Sequence, residues 1–254
     1  MFPSTMPTDD TGAPGPARRG AESRSGSSER LPDLPAPQAD GAGTDISSLS
    51  PSLLMDLQRF ERDGERRELL EVLAACLRHT QSVAVRLAWG WHEMTLTIFP
   101  LDALVHCPMS LPEFLGGDLS AVRVLRVQPA SLRPPGDAEL VRVGNPAYYA
   151  PLAPLLWAVA TRGSRADLLP ELAGLAAYRV APGFHLSEQQ LPVELVDFIN
   201  RLRQRTCNLR EIAEWHGLGR ERASRLLNAL YLQSGLIVSR THPAATNDGW
   251  SGYR

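Results

Sequence analysis

Lysine is missing from this 254-residue chain, and all 26 basic residues are arginine. A coding bias explains that uniformity more simply than a separate demand for a guanidinium at every site, so arginine identity alone is no functional signal. Cysteine is scarce: Cys76, Cys107 and Cys207 lie far apart without a C-x-x-C pair. That excludes a disulfide scaffold and a zinc ribbon, and it implies a reducing compartment. No run approaches about 18 apolar residues free of charge or proline, and the N-terminus, MFPSTMPTDDTGAPGPARRG, holds no stretch of signal-peptide type. Neither a membrane nor export is implied, and cytoplasmic residence is expected. A G-x-S-x-G elbow, a Walker loop, an H-E-x-x-H pair and a G-x-G-x-x-G ahead of a helix are also missing. The chain therefore reads as non-enzymatic, with no cofactor.

The net charge of −2 excludes a uniformly basic nucleic-acid coat. Charge is unevenly spread, however. Arginine minus acid gives 4 − 7 = −3 for residues 1–50, 13 − 15 = −2 for 51–190 and 9 − 6 = +3 for 191–254, so only the C-terminal part is basic.

Residues 1–48 contain 7 Pro, 6 Gly and 7 Ser and almost no large apolar side chain, a composition that cannot offset the entropy of ordering. A disordered tail is expected there. Order begins at Ser50-Pro51, where serine suits an N-cap and proline the first turn. Leu53, Leu54, Leu57 and Phe60 form one helical face, and after Gly64 the same period in Leu69, Leu70, Leu73, Cys76 and Leu77 predicts a second helix to His79.

The period then becomes two. Val83, Val85, Leu87 and Trp89, followed beyond Gly90 by Met94, Leu96 and Ile98, predict an antiparallel hairpin with Trp89 and Trp91 at its tip. Ala121–Val127 reads as a further strand and Leu140–Val143 as a short one. Pro151 to Tyr178 reads as helical again, in two pieces separated by Gly163, with Pro170 inside the second. The expected class is α+β: a middle domain over 50–186, a C-terminal module over 187–240 and a flexible end over 241–254.

In that module Ser187 to Gln190 is a capping-box pattern ahead of a helix from Pro192 to Arg205. Asn208 and Glu211 repeat the pattern before a short helix that stops at Gly217, and a third helix runs from Arg220 with Ala223, Leu226, Leu227 and Leu230 on one face. The strand LIVSR follows. The segment LREIAEWHGLGRERASRLLNALYLQSGLIVSR resembles the winged helix-turn-helix superfamily. The resemblance implies that the third helix enters the DNA major groove by its first residues. Carried over, the reading face is Arg220, Arg222, Ser224 and Arg225, with Arg210 a phosphate contact. After LIVSR only THPAATNDGWSGYR remains, with no clear returning strand for a wing, and Glu221 sets an anion among the arginines. Winged helices also serve as protein docking modules, so the expected partner is DNA or another protein. Either way the chain reads as a bacterial regulatory protein, a DNA-binding regulator or a protein-protein adaptor.

One metal arrangement is suggested by spacing, with Cys76 and His79 as C-x-x-H and His106-Cys107 following. Adjacent residues of a strand face opposite ways, so His106 and Cys107 are poorly placed to share one ion, and no metal site is assigned.

Overall fold

A computed structural model describes residues 49–59, 68–185 and 193–246. The expected tail, Phe60, the break at Gly64 and the Ser187 to Gln190 box lie outside the described residues. The boundary placed at 186–187 also falls outside them. The class is α+β, as the alternation of periods implies.

Helix α1, Pro51–Arg59, starts where Ser50 Oγ accepts the Leu53 N–H at 3.3 Å. Helix α2, Leu69–His79, matches the bounds expected from its apolar spacing. Its first turn is tied down by Arg165, which donates to Glu68 at 3.2 Å and to Glu71 at 2.6 Å. At its other end Arg78 pairs with Asp56 of α1 and with Glu171, while His79 Nε2 lies 2.7 Å from Asp56.

Strands β1, Val83–Trp89, and β2, His92–Phe99, form the expected hairpin, with Trp89 paired to His92 across Gly90-Trp91. Gly90 has φ +59, the left-handed value that the first position of such a two-residue turn requires. Strands β3, Leu104–His106, β4, Arg123–Pro129, and β5, Tyr149–Pro151, complete an antiparallel sheet of order β4-β1-β2-β3-β5. Alternation sends Val83, Val85, Leu87, Leu96, Ile98 and Val105 into a core shared with Leu70 and Leu73 of α2. Leu155 and Val159 of helix α4, Leu152–Arg162, join the same core. Arg86, Glu93 and Thr95 point the other way and stay exposed. Short helix α3, Leu111–Gly116, sets Phe114 edge-on to Trp89 at 5.7 Å. Gly117 is required beside it, because a Cβ there would lie 2.6 Å from the Trp89 ring.

Two expected elements are absent. Leu140–Arg142 is a single 3-10 turn, not a strand, closed by Arg142 N–H to the Glu139 carbonyl at 2.9 Å. Leu140 and Val141 are exposed, so no partner strand or core draws that apolar pair into extended pairing. The second helical piece of 151–178 is also replaced. Beyond Gly163 the chain runs irregularly, burying Leu168, Leu169 and Leu172, and then forms strand β6, Ala177–Val180. Pro170 removes an N–H from any helix there, and Gly174 takes φ +87, which ends helical geometry.

Helices α5, Val193–Gln204, α6, Leu209–Ala213, and α7, Gly219–Leu232, are followed by strand β7, Leu236–Ser239. The strand that pairs with β7 comes from before these helices: β6 runs antiparallel to it, and Tyr178 on its other side bridges Cys207. β6 is the one strand paired with β7 among the described residues, and after β7 the chain returns only as far as an isolated bridge between Thr246 and Ala176. Both sides of the expected domain boundary contribute to one core, with α7 packed across α4.

Candidate partner-binding site on the C-terminal helices

The local structure around the proposed reading face forms for reasons visible in the sequence. Asn208 Oδ1 accepts the Glu211 N–H at 2.8 Å and the Glu211 carboxylate accepts the Asn208 N–H at 3.0 Å, a reciprocal cap that opens α6. Gly217 (φ +77) and Gly219 (φ +69) supply the left-handed turn into α7. Trp215 closes the module's core, stacked on Phe198 at 5.9 Å, with the Arg201 guanidinium 4.5 Å from its ring.

The five side chains expected at the site fall into two groups. Arg210 lies on the surface, its Nε 3.2 Å from Glu214. Arg220 is exposed, and Arg222 is exposed with Nη1 donating to the Gly217 carbonyl at 2.9 Å. Ser224 instead is buried, at 1% exposure. Arg225 turns inward: it donates to the Gly163 carbonyl at 2.8 Å and pairs with Glu221 at 3.0 Å, leaving 16% of its side chain accessible. Helical spacing carries Ser224 and Arg225 off the leucine stripe, yet Ser224 is buried and Arg225 meets the carbonyls of Thr161 in α4 and Gly163 after it.

The same side contains a residue that helical periodicity did not single out. Asn228 is fully buried; its Oδ1 accepts the Leu169 N–H and its Nδ2 donates to the Asp167 carbonyl, both at 2.9 Å. The polar run Glu221, Ser224, Arg225, Asn228, at spacings of three and four, is the sequence signal of a second contact face. Only the first turn of α7 therefore remains open.

Electrostatics elsewhere supports structure more than chemistry. Burial opposes ionisation of Asp56, yet its hydrogen bond with His79 and the charges of Arg78 and His79 outweigh that and hold its carboxyl below the usual value. Burial raises Glu71, with Arg165 opposing, and pushes the Cys76 thiol up to about 12, far from a reactive thiolate. Burial lowers His106, whose ring stands edge-on to Tyr149 at 4.9 Å beneath the loop that Tyr149 Oη ties to Arg133 and Gly144. Among the described residues no three His, Cys, Asp or Glu side chains converge as metal ligands, and no helix is long and apolar enough to cross a membrane. No family model matches the chain, and neither does any curated protein or solved structure.

Proposed function

We propose that the protein is a non-catalytic, cytoplasmic protein-protein adaptor in which the helix-turn-helix elements are a fixed part of the scaffold and do not read DNA. One observation carries this reading. Half of the α7 reading face is closed: Ser224 is buried and Arg225 is bonded to Gly163 at the end of α4, while Arg220 and Arg222 stay exposed. A groove-reading helix needs that face open to base edges. Surface groups suited to protein contact remain elsewhere, foremost Trp91 at the tip of the β1-β2 hairpin. The DNA reading retains Arg210, Arg220 and Arg222 on the surface around the α6-α7 turn, enough for phosphate contacts.

The deciding experiment is a salt titration of the full chain with a mixed-sequence duplex. Phosphate-driven binding weakens steeply with salt. The adaptor reading expects no salt-dependent binding even at low ionic strength. Tight, salt-sensitive binding that Arg220→Ala and Arg222→Ala both weaken would overturn it in favour of the DNA regulator.

A further inference from the structure

We infer that β7 is a dimerisation strand, whose free edge pairs antiparallel with β7 of a second copy of this chain across a two-fold axis. The inference goes beyond the adaptor reading and stands or falls apart from it. In the sheet β6-β7, β7 has β6 on one side and no strand on the other among the described residues. Which backbone groups face that open edge follows from the ladder. Ala181 donates to the Gly235 carbonyl at 2.9 Å, so the hydrogen-bonded pairs are Ala181 with Gly235, Arg179 with Ile237 and Ala177 with Ser239. Tyr178, between them on β6, turns its N–H and carbonyl the other way and exchanges both bonds with Cys207, as that phase requires. On β7 the N–H and carbonyl groups of Leu236 and Val238 therefore point to the open edge, where none of the described residues bonds them. Beyond Ser239 the chain leaves this edge for the far side of β6, where Thr246 bridges Ala176 and Asn208 bonds Ala244 and Thr246.

Composition and symmetry select the occupant. Proteins guard strand edges with charge, proline or a bulge. β4 has all three, in Arg123, Pro129 and the register shift between Arg86 and Leu87. β7, with the sequence LIVS, has none. A charged strand finds no opposite charge in this row, whereas two copies of it meet without like charges opposed. The arginines nearest to it are engaged elsewhere, Arg240 by the carbonyls of Glu171, Ala173 and Leu175 and Arg179 by that of Arg203. Centring the two-fold on Ile237 uses the whole edge. Leu236 of each copy then exchanges both backbone bonds with Val238 of the other. Ile237, 45% exposed, faces its own counterpart at a non-bonded position, where side chains approach most closely. So short an edge buries little area, and the dimer is accordingly weak and concentration-dependent.

The test uses the full chain. Sedimentation equilibrium should show a dimer share that grows with concentration, and the Leu236 and Val238 amides should exchange more slowly as it grows. Ile237→Lys sets two cations face to face and should weaken the dimer roughly tenfold or more. Ile237→Cys checks the register and keeps the test open if the lysine variant fails to fold. Cα atoms about 4.5 Å apart at the facing position lie within disulfide reach, so oxidised glutathione should link two copies there. Ser239→Cys, away from the axis, should link poorly, and the native Cys76, Cys107 and Cys207 are buried. A chain that stays monomeric at every concentration overturns the inference. So does a dimer that Ile237→Lys leaves unchanged, or equal cross-linking at the two positions. Slow exchange at Leu236 and Val238 that is independent of concentration overturns it as well, because another segment of the same chain would then cover the edge.

Discussion

The arginines of α7 and those of β4 invite opposite treatment, and the tertiary structure reverses it. On α7, Arg225 belongs to the helix that a DNA reader would expose, yet it is drawn in to cap the carbonyl of Gly163 at the end of α4. On β4, where alternation alone would put one arginine toward the core, a bulge turns Arg123 and Arg126 outward together. The residue type is the same in both places. On α7 the end of α4 supplies the partner and on β4 the bulge sets the facing, so the work an arginine does follows from its tertiary setting more than from the motif around it.

The largest effect that sharpens this comparison concerns the inner face of α7. Leu226→Ala or Leu230→Ala should cost about 2 to 5 kcal/mol in denaturant unfolding, since both side chains are buried in the shared core. If both are nearly silent, α7 is not the helix on which the core closes.

Next comes its second face. Asn228→Ala leaves the Leu169 N–H and the Asp167 carbonyl without their partner and should cost about 1 to 3 kcal/mol. Arg225→Ala should be measurably destabilising for the same reason. A solvated α7 face predicts no change for either, and that result would separate α7 from α4.

A pH series tests the contact between α1 and α2. Because the folded carboxyl of Asp56 titrates below its unfolded value, its contribution is fully present above the unfolded value and is lost as pH falls through the folded one. Asp56→Asn should flatten this part of the acid limb of the stability curve. An unchanged limb in the variant would mean that the Asp56 pairing with Arg78 and His79 does not hold in solution.

The smallest effects belong to the surface. Arg222→Ala and Trp91→Ala should each change stability by no more than about 0.5 kcal/mol, because neither side chain is buried. The contrast of a silent Arg222 with a costly Arg225, three positions apart on one helix, is the sharpest single check on how α7 is packed.

Much of the fold was legible in the residues. The bounds of α2, the β1-β2 hairpin with its Gly90 turn, the reciprocal cap of Asn208 with Glu211, and the leucine stripe of α7 all follow from local periodicity and capping, which neighbouring residues set among themselves. The candidate site was less legible. Periodicity separates Ala223, Leu226, Leu227 and Leu230 from the rest of α7, and it cannot say whether the rest meets water, a ligand or another helix. Ser224 is buried, and Arg225 and Asn228 meet the end of α4 and the segment after it, from positions about 60 residues earlier.

The sequence by itself determined the α+β class, the helix and strand periods and the turns that require glycine, because each is a property of residues within a few positions of one another. Only the tertiary structure decided that β6 fills the place beside β7, that the stretch after Gly163 is irregular where helix was expected, and that α7 is covered on two sides. Those outcomes depend on which apolar surfaces meet across the chain and on where buried N–H and carbonyl groups find partners, and a long-range pairing such as Asn228 with Asp167 and Leu169 leaves no local pattern that states it.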